Sequence, residues 1–370
     1  MLVYTLLPIL VFYGLVLQRL TIKKNFYNLQ TERYTSQKKN TLMFCFLLLW
    51  LLAVFKGLTV GTDASMYYQF FKSENYEIFE PGISFIYNIA NKYNNYILFS
   101  FIVYLIFLFF ISKGIEKNCP NYLISILFFI LTYVYLTSFN QVRQLIAVSL
   151  IFCFINFLLS KKDRYKFVVI ILIALLFHRS AIFLFLLFLV PKSKFNIKYI
   201  IPFFILTIIL YFISDFKDFV GKFIINFSGF YAEKYEVNTK HFFSVNKEKG
   251  IVELMPVIFQ MGILVFTHFY LDAKKNLNIN YHLFYFSYNI ITINLCLYAI
   301  AGIEAVDRIQ LYLSVFNIYF YSLLFHQLLN DTNKYMVRLV PFLILLFWLV
   351  YYFLRILTNN QGIVPYTFLN

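Results

Sequence analysis

Apolar residues along this chain gather into blocks of about 20, separated by short polar connectors. About 20 residues is the length an α-helix needs to cross the hydrocarbon of a bilayer. Ten blocks are predicted as full spans: Leu2–Leu17, Thr41–Leu58, Tyr96–Ser112, Tyr122–Ser138, Gln144–Ser160, Tyr199–Ile213, Ile251–Leu271, Tyr281–Ala301, Arg308–Leu329 and Leu339–Leu357. A membrane barrel would instead alternate apolar and polar positions over short segments, a pattern this chain lacks. The predicted fold class is therefore all-α, a polytopic integral membrane protein forming one membrane domain over 1–370, with exterior loops at about 59–95 and 214–250. The first block has no basic residue before it and no small-residue cleavage site after it, so it is predicted as a retained span and not a signal peptide.

An eleventh block, Phe167 to Val190, is interrupted at its middle by His178, Arg179 and Ser180. A guanidinium at the centre of a spanning helix costs at least about 2.5 to 3.5 kcal/mol, so such residues face a partner, a cavity or a substrate. The connectors sharpen this. Lys and Arg accumulate on cytoplasmic loops, and Arg19–Asn40, with six cations, puts the N-terminus outside. The acidic stretch with Asp63, Glu74, Glu77 and Glu80 is then exterior, "KKDRYK" cytoplasmic, and the C-terminal tail exterior. A single crossing over Phe167–Val190 would put Lys192, Lys194 and Lys198 outside, against that bias. Two arms that turn at His178–Ser180, each reaching about 16 Å as helix, make a re-entrant helical hairpin. Irregular backbone at that depth belongs inside protein or beside a water-filled cavity.

Composition narrows the class. Of 370 residues 61% are hydrophobic and 13% charged, with a mean hydropathy of +0.72, against about 25% charged in a soluble domain. The net charge of +15 could suit nucleic acid, but the cations are scattered over short connectors, where they set topology and meet anionic headgroups. No nucleic-acid partner is expected. Cys45, Cys119, Cys153 and Cys296 have no disulfide or metal spacing and are read as small hydrophobes.

Polar residues that do not flank cytoplasmic loops fall into short exterior clusters. "GTDASMYYQFF" sets Asp63 and Tyr67 at i and i+4, and "FEPGISF" sets Glu80 before a Pro81–Gly82 helix start. "SFNQVRQLIAVSL" aligns Asn140, Arg143, Gln144 and Ala147 on one helical stripe at a span's outer end, and "GIEAVDRIQLYL" puts Glu304, Arg308 and Tyr312 in i, i+4 register. Each has a plainer reading: Arg308 in a helical pair with Glu304 or Asp307, Arg143 as an interfacial anchor, Asp63 and Glu80 as solvated acids, the tyrosines as interfacial packing, His178 as a satisfied core histidine.

The order of these motifs resembles the EpsG-like branch of the Wzy-type polysaccharide polymerases. It runs G-x-D-x-x-x-Y (Gly61, Asp63, Tyr67), E-P-G (Glu80–Gly82), N-x-x-R-Q-x-x-A (Asn140, Arg143, Gln144, Ala147), F-H-x-S-A (Phe177, His178, Ser180, Ala181), Arg308 with Tyr312, and a terminal Pro365–Tyr366. The resemblance implies joining of polyprenyl-pyrophosphate-linked oligosaccharide repeat units, for capsule, exopolysaccharide or O-antigen, at the outer face of the cytoplasmic membrane. It also implies, as pathway partners, a flippase and a chain-length regulator.

Such a reaction needs cations for a departing pyrophosphate and a base for the acceptor hydroxyl. Arg143, Arg308 and Arg179 are the expected clamp, with Asn140, Gln144, Tyr67 and Tyr312 as further substrate contacts. His178, then Asp63 and Glu80, are the expected bases. The sequence has no D-x-D pair or His/Asp metal cluster, so guanidinium groups are expected in place of a divalent ion, with no cofactor. A ligase moving finished glycan to another acceptor shares this donor chemistry. A transporter or flippase of the same lipid-linked sugar is a rival that would place its polar sites near the midplane. Reporter fusions after Asp163 and after Ser193 are expected to report the same, cytoplasmic, side; opposite sides would mean a full crossing and no hairpin.

Overall fold

The computed structural model describes residues 1–25, 31–227, 251–273, 280–331, 335–359 and 361–369. The remainder of the connectors expected at Arg19–Asn40, Ser214–Gly250, 272–276 and 330–338 lies outside the described residues. The chain is built from α1 (Leu2–Asn25), α2 (Thr31–Val54), α3 (Ala64–Ser73), α4 (Pro81–Lys92), α5 (Tyr96–Asn118), α6 (Tyr122–Leu131), α7 (Val134–Leu159), α8 (Arg164–Leu175), α9 (Ile197–Tyr211), α10 (Ser214–Phe227), α11 (Ile251–Asp272), α12 (Tyr281–Cys296), α13 (Glu304–Ser314), α14 (Phe316–Asn330) and α15 (Tyr335–Thr358), with 3-10 segments at Arg179–Leu189 and Leu297–Ile300. Among the described residues there is no strand, only an isolated antiparallel bridge between Lys56 and Phe368.

Several apolar runs start where an asparagine can cap them. Asn95, Asn121, Asn196 and Asn280 each accept a backbone N–H from the first turn of α5, α6, α9 and α12, satisfying donors that a helix start leaves unpaired. Among the described residues five helices are long and apolar enough to cross a bilayer: Tyr96–Asn118, Val134–Leu159, Glu253–Asp272, Tyr281–Ile300 and Leu339–Thr358. There are six if Ile197–Tyr211 and Asp215–Phe223, bent by 99°, are one span. The apolar helices Tyr122–Leu131 and Arg179–Leu189 are shorter, at 10 and 11 residues.

Two boundaries differ from the pattern. The expected spans Tyr122–Ser138 and Gln144–Ser160 are instead the ten-residue α6 and the 26-residue α7. The break lies at Thr132–Tyr133, where Tyr133 adopts φ +69° and the Thr132 hydroxyl folds back on Phe128 O at 2.5 Å. Both residues are compatible with an apolar environment, so hydropathy does not mark the break. The expected span Arg308–Leu329 likewise divides, into α13 and α14.

The chain groups into two compact units, 1–185 with 317–370, and 186–316. In the first, α7 is the central helix, 72% buried over its apolar window. It packs between α5 and α8, while α2 and α4 lean on α5, and α1 and α15 on α6. Buried polar bridges tie this unit across long sequence distances: Ser125 to Ser322 at 2.9 Å, and the Tyr319 hydroxyl to Phe152 O at 2.6 Å. Cys119 and Cys153 are buried here and Cys45 is half-buried; with Cys296 they are free thiols.

In the second unit α12 packs on α9, α11 and α13. Fully buried Asn289 closes the loop before α9, donating to Pro191 O and Ser193 O and accepting from Phe195 N at 2.7–3.0 Å. Lys194 from that loop pairs with Asp272 at 2.5 Å.

The expected interruption at His178 is present. α8 ends at Leu175, and the stretch after it is an 11-residue 3-10 segment, an unusually long one that rises about 2.0 Å per residue and so reaches further than an α-helical arm. The end of α8 meets the start of α4: the Gly82 amide donates to Leu176 O at 2.8 Å. An unpaired donor of one helix thus satisfies an unpaired acceptor of another. A Cβ on Gly82 would sit 2.7 Å from that backbone oxygen, whereas one on Gly262 would meet nothing within 4 Å. Gly82→Ala is therefore expected to cost about 1–3 kcal/mol and lower the unfolding midpoint of the detergent-purified protein. Gly262→Ala, inside α11, should leave it unchanged or raise it, by up to about 1 kcal/mol of helix propensity.

Candidate active site around Arg143

The E-P-G stretch folds as its residues dictate. Pro81 occupies the first helical position of α4, and Glu80 precedes it in extended geometry, the placement favoured for a proline lacking an N–H. Glu80 does not cap its own helix. One carboxylate oxygen accepts from Arg143 Nη1 at 2.8 Å, and the other from the Arg179 backbone amide at 3.2 Å. Glu80 is 6% exposed, so both contacts are needed to offset removal of its charge from water.

Arg143 reaches this carboxylate from inside α7. Its Nε donates to the Tyr67 hydroxyl at 3.3 Å, and its guanidinium lies 4.6 Å from the centroid of the Phe79 ring. A guanidinium has five N–H donors. Two are engaged here, and Nη2 makes no hydrogen bond to a described residue. Tyr67 is buried in the first turns of α3, and burial holds its hydroxyl above the usual tyrosine range, with Arg143 pulling the other way. It therefore stays neutral and keeps a proton to donate.

Asn140 and Arg143 do not share the expected stripe. The backbone at Gln141 is non-helical (φ −112°, ψ 41°), and the kink turns the two side chains to different tasks. Asn140 accepts from Thr62 N at 2.8 Å and donates to Gln361 O at 3.0 Å, while Gln361 Nε2 donates to Thr137 Oγ1. Gly61, at φ +97°, donates to Gly362 O at 2.9 Å, and a Cβ there would lie 2.4 Å from Asn140 Oδ1. Asn140 thus clips the G-x-D loop and the C-terminal tail together. Because the break before α7 is at Thr132–Tyr133, Arg143 also sits within the helix and not at its outer end. Gln144 is buried beside it in sequence, 3% exposed.

Asp63 stands at the start of α3, half-buried. Its carbonyl accepts from Tyr67 N, and its carboxylate accepts from the Thr62 hydroxyl at 3.0 Å. His178 is 7% exposed. Its Nδ1 accepts the Ser180 amide at 3.2 Å and lies 2.6 Å from Ser180 Oγ. A ring nitrogen that accepts an amide N–H carries no proton, so the neutral imidazole here has its hydrogen on Nε2. The Arg179 side chain is exposed.

Asp63, Tyr67, Glu80, Asn140, Arg143, Gln144 and His178–Ser180 all belong to the first unit. Arg308 and Tyr312 belong to the second, where Arg308 pairs with Glu304 one turn back and Tyr312 is buried. Pattern reading passed over Arg355, whose guanidinium lies 4.3 Å from the Tyr133 ring centroid, and Gln361, which ties the tail to α7. Their signal is only a cation and a polar patch after the last apolar run.

The sequence profile of the EpsG family matches residues 39–368. No curated protein and no solved structure matches the chain. The profile covers every motif from Gly61 to Tyr366, and the chain accordingly belongs to the EpsG family of polysaccharide polymerases in exopolysaccharide biosynthesis, as a multi-pass membrane protein.

Proposed function

We propose that this chain transfers a glycan from polyprenyl pyrophosphate to a sugar hydroxyl of a second lipid-linked repeat unit, at the outer face of the cytoplasmic membrane. The supporting observation is convergence: E-P-G and G-x-D-x-x-x-Y, distant in sequence, meet at the guanidinium of N-x-x-R, and the backbone of F-H-x-S joins the same Glu80 carboxylate. The connector charges and the helix break at His178 support ten crossings with a re-entrant hairpin at Phe167–Val190 and both termini exterior. The flippase and the chain-length regulator of such a pathway would be its partners.

In this reaction the bond from the anomeric carbon to the donor phosphate oxygen breaks, and a bond to the acceptor oxygen forms. The acceptor proton passes to a base, and the pyrophosphate leaves on its lipid. Arg143 Nη2 and the Tyr67 hydroxyl are donors for the charge that builds on the departing phosphate. Guanidinium groups take the part a divalent ion would otherwise play. Glu80, with both oxygens engaged by donors, orients Arg143 and the turn after α8. His178 in its Nε2–H form donates and cannot accept at that nitrogen, which leaves Asp63 as the base. Arg308, Arg179 and Tyr312 are proposed as further substrate contacts on their motif positions alone.

Purified protein given a defined polyprenyl-pyrophosphate repeat unit is expected to elongate it, as read by mass; failure to do so without any partner would favour transport over polymerisation. In a polymerase-null strain, Arg143→Ala is expected to leave single repeat units on a glycan gel at normal membrane levels. In vitro it should lower the rate by about 10²–10³-fold. Long chains would remove Arg143 from the mechanism. Arg308→Ala is expected to behave likewise, and long chains there would reduce Arg308 to the helical partner of Glu304.

Asp63→Asn is expected to lower the in vitro rate about 10²–10⁴-fold, and His178→Gln by much less. The reverse result would return the base role to His178.

A further inference from the structure

Away from Arg143, where α3 ends, α4 ends and α5 begins, the first unit holds an open cavity of about 380 Å³, within the range of about 300–1,000 Å³ typical of small-molecule sites. We infer that this cavity is a glycan subsite, holding an uncharged pyranose of the repeat unit against Tyr68 and Tyr96. This rests on the polymerase reading and adds to it a place for the sugar.

The lining has the two kinds of group a sugar needs. Tyr68 and Tyr96 meet edge to face, their ring centroids 5.1 Å apart, and both line the opening. A pyranose presents axial C–H groups that pack on the negative face of such a ring. Around them stand Lys72, Glu74, Asn91 and Asn94, supplying donors and acceptors for hydroxyls. None of these four side chains has a hydrogen-bonding or ion-pair partner among the described residues. The Lys72 ammonium lies 5.1 Å from the Tyr68 ring centroid, and Asn91 Nδ2 is buried with no acceptor. A buried N–H without an acceptor is costly and unusual in a folded protein; Asn91 lines the cavity, and a turn of its amide would bring this N–H to a sugar hydroxyl.

Charge selects the ligand class. One lysine and one glutamate leave the cavity near neutral, which suits a hydroxylated ring and disfavours the doubly ionised pyrophosphate that Arg143 invites. The backbone holds the rim in place: Glu74 and Asn94 both adopt left-handed conformations, at φ +55° and +46°, and so end α3 and α4 sharply beside one another. The cavity wall is also packed against the proposed reaction centre. Tyr96 stacks on Phe99, and Phe99 packs on Tyr67, the residue that accepts from Arg143. This packing fixes the wall of the subsite relative to the residue that holds Arg143.

The test uses the full chain in lipid nanodiscs and, as probe, phosphate-free oligosaccharides released by acid from the polymer of the producing strain. Saturation-transfer NMR is expected to show contact to pyranose protons in wild type. Tyr68→Ala and Asn91→Leu should weaken binding about ten-fold or more, Tyr68→Phe should retain it, and inorganic pyrophosphate should not displace the sugar. No binding to wild type, undiminished binding in Tyr68→Ala, or displacement by pyrophosphate would each overturn the subsite. Should Asn91→Leu fail to fold, the exposed rim variants Lys72→Ala and Glu74→Gln carry the same test, each expected to weaken binding. Because binding is read without turnover, the elongation assay stays separate: a protein that binds the fragments but extends nothing would refute the polymerase reading alone.

Discussion

Glu80 has two carboxylate oxygens, and the first unit depends on where they go. One binds the Arg143 guanidinium from α7, the other the Arg179 amide after α8, and the residue itself begins α4. A carboxylate this far from water is tolerable only with both oxygens engaged by donors, one of them charged. Proline and glycine beside it serve that geometry. Pro81 starts the helix without an N–H to satisfy, and Gly82 lets Leu176 O approach its amide. Three elements far apart in sequence are thereby held in one arrangement, with the guanidinium at its centre.

That arrangement leaves Arg143 useful. A cation fully wrapped by acids would have nothing left to offer a phosphate, whereas here two of five donors are engaged and Nη2 is not. Phe79 and Tyr67 on its flanks lower the local polarity, which strengthens its field towards any anion that arrives. The Asn140 clip does comparable work on the backbone, drawing the Gly61 loop and the tail at Gln361–Gly362 onto α7. Both polar atoms of the Asn140 amide are engaged in this clip.

Much of the site could be read in the chain, but the parts differ in how local their cause is. The E-P-G helix start and the break at His178 depend on neighbouring residues, and the structure has both. The division between α6 and α7 and the kink at Gln141 do not follow from neighbours. Thr132–Tyr133 lies between apolar runs and carries no polar signal, and the kink at Gln141 separates Asn140 from Arg143 so that each meets a different partner. The contacts of Glu80 are non-local in the same way: neither the Arg143 guanidinium nor the Arg179 amide that its carboxylate meets is a sequence neighbour.

What the sequence by itself determined is the helical, membrane-spanning character of the chain and the set of residues that carry chemistry. In hydrocarbon each segment must satisfy its backbone groups internally, so length and hydrophobicity of a local stretch suffice to specify a helix. What only the tertiary structure decided is which of those residues meet. Glu80 and Arg143 are 63 positions apart and Glu80 and Arg179 are 99 apart. The cavity beside Tyr68 forms between three helix ends, and its vacant hydrogen-bonding groups are defined by what does not reach them. Contacts of that kind arise from packing across the unit, and no local pattern encodes them.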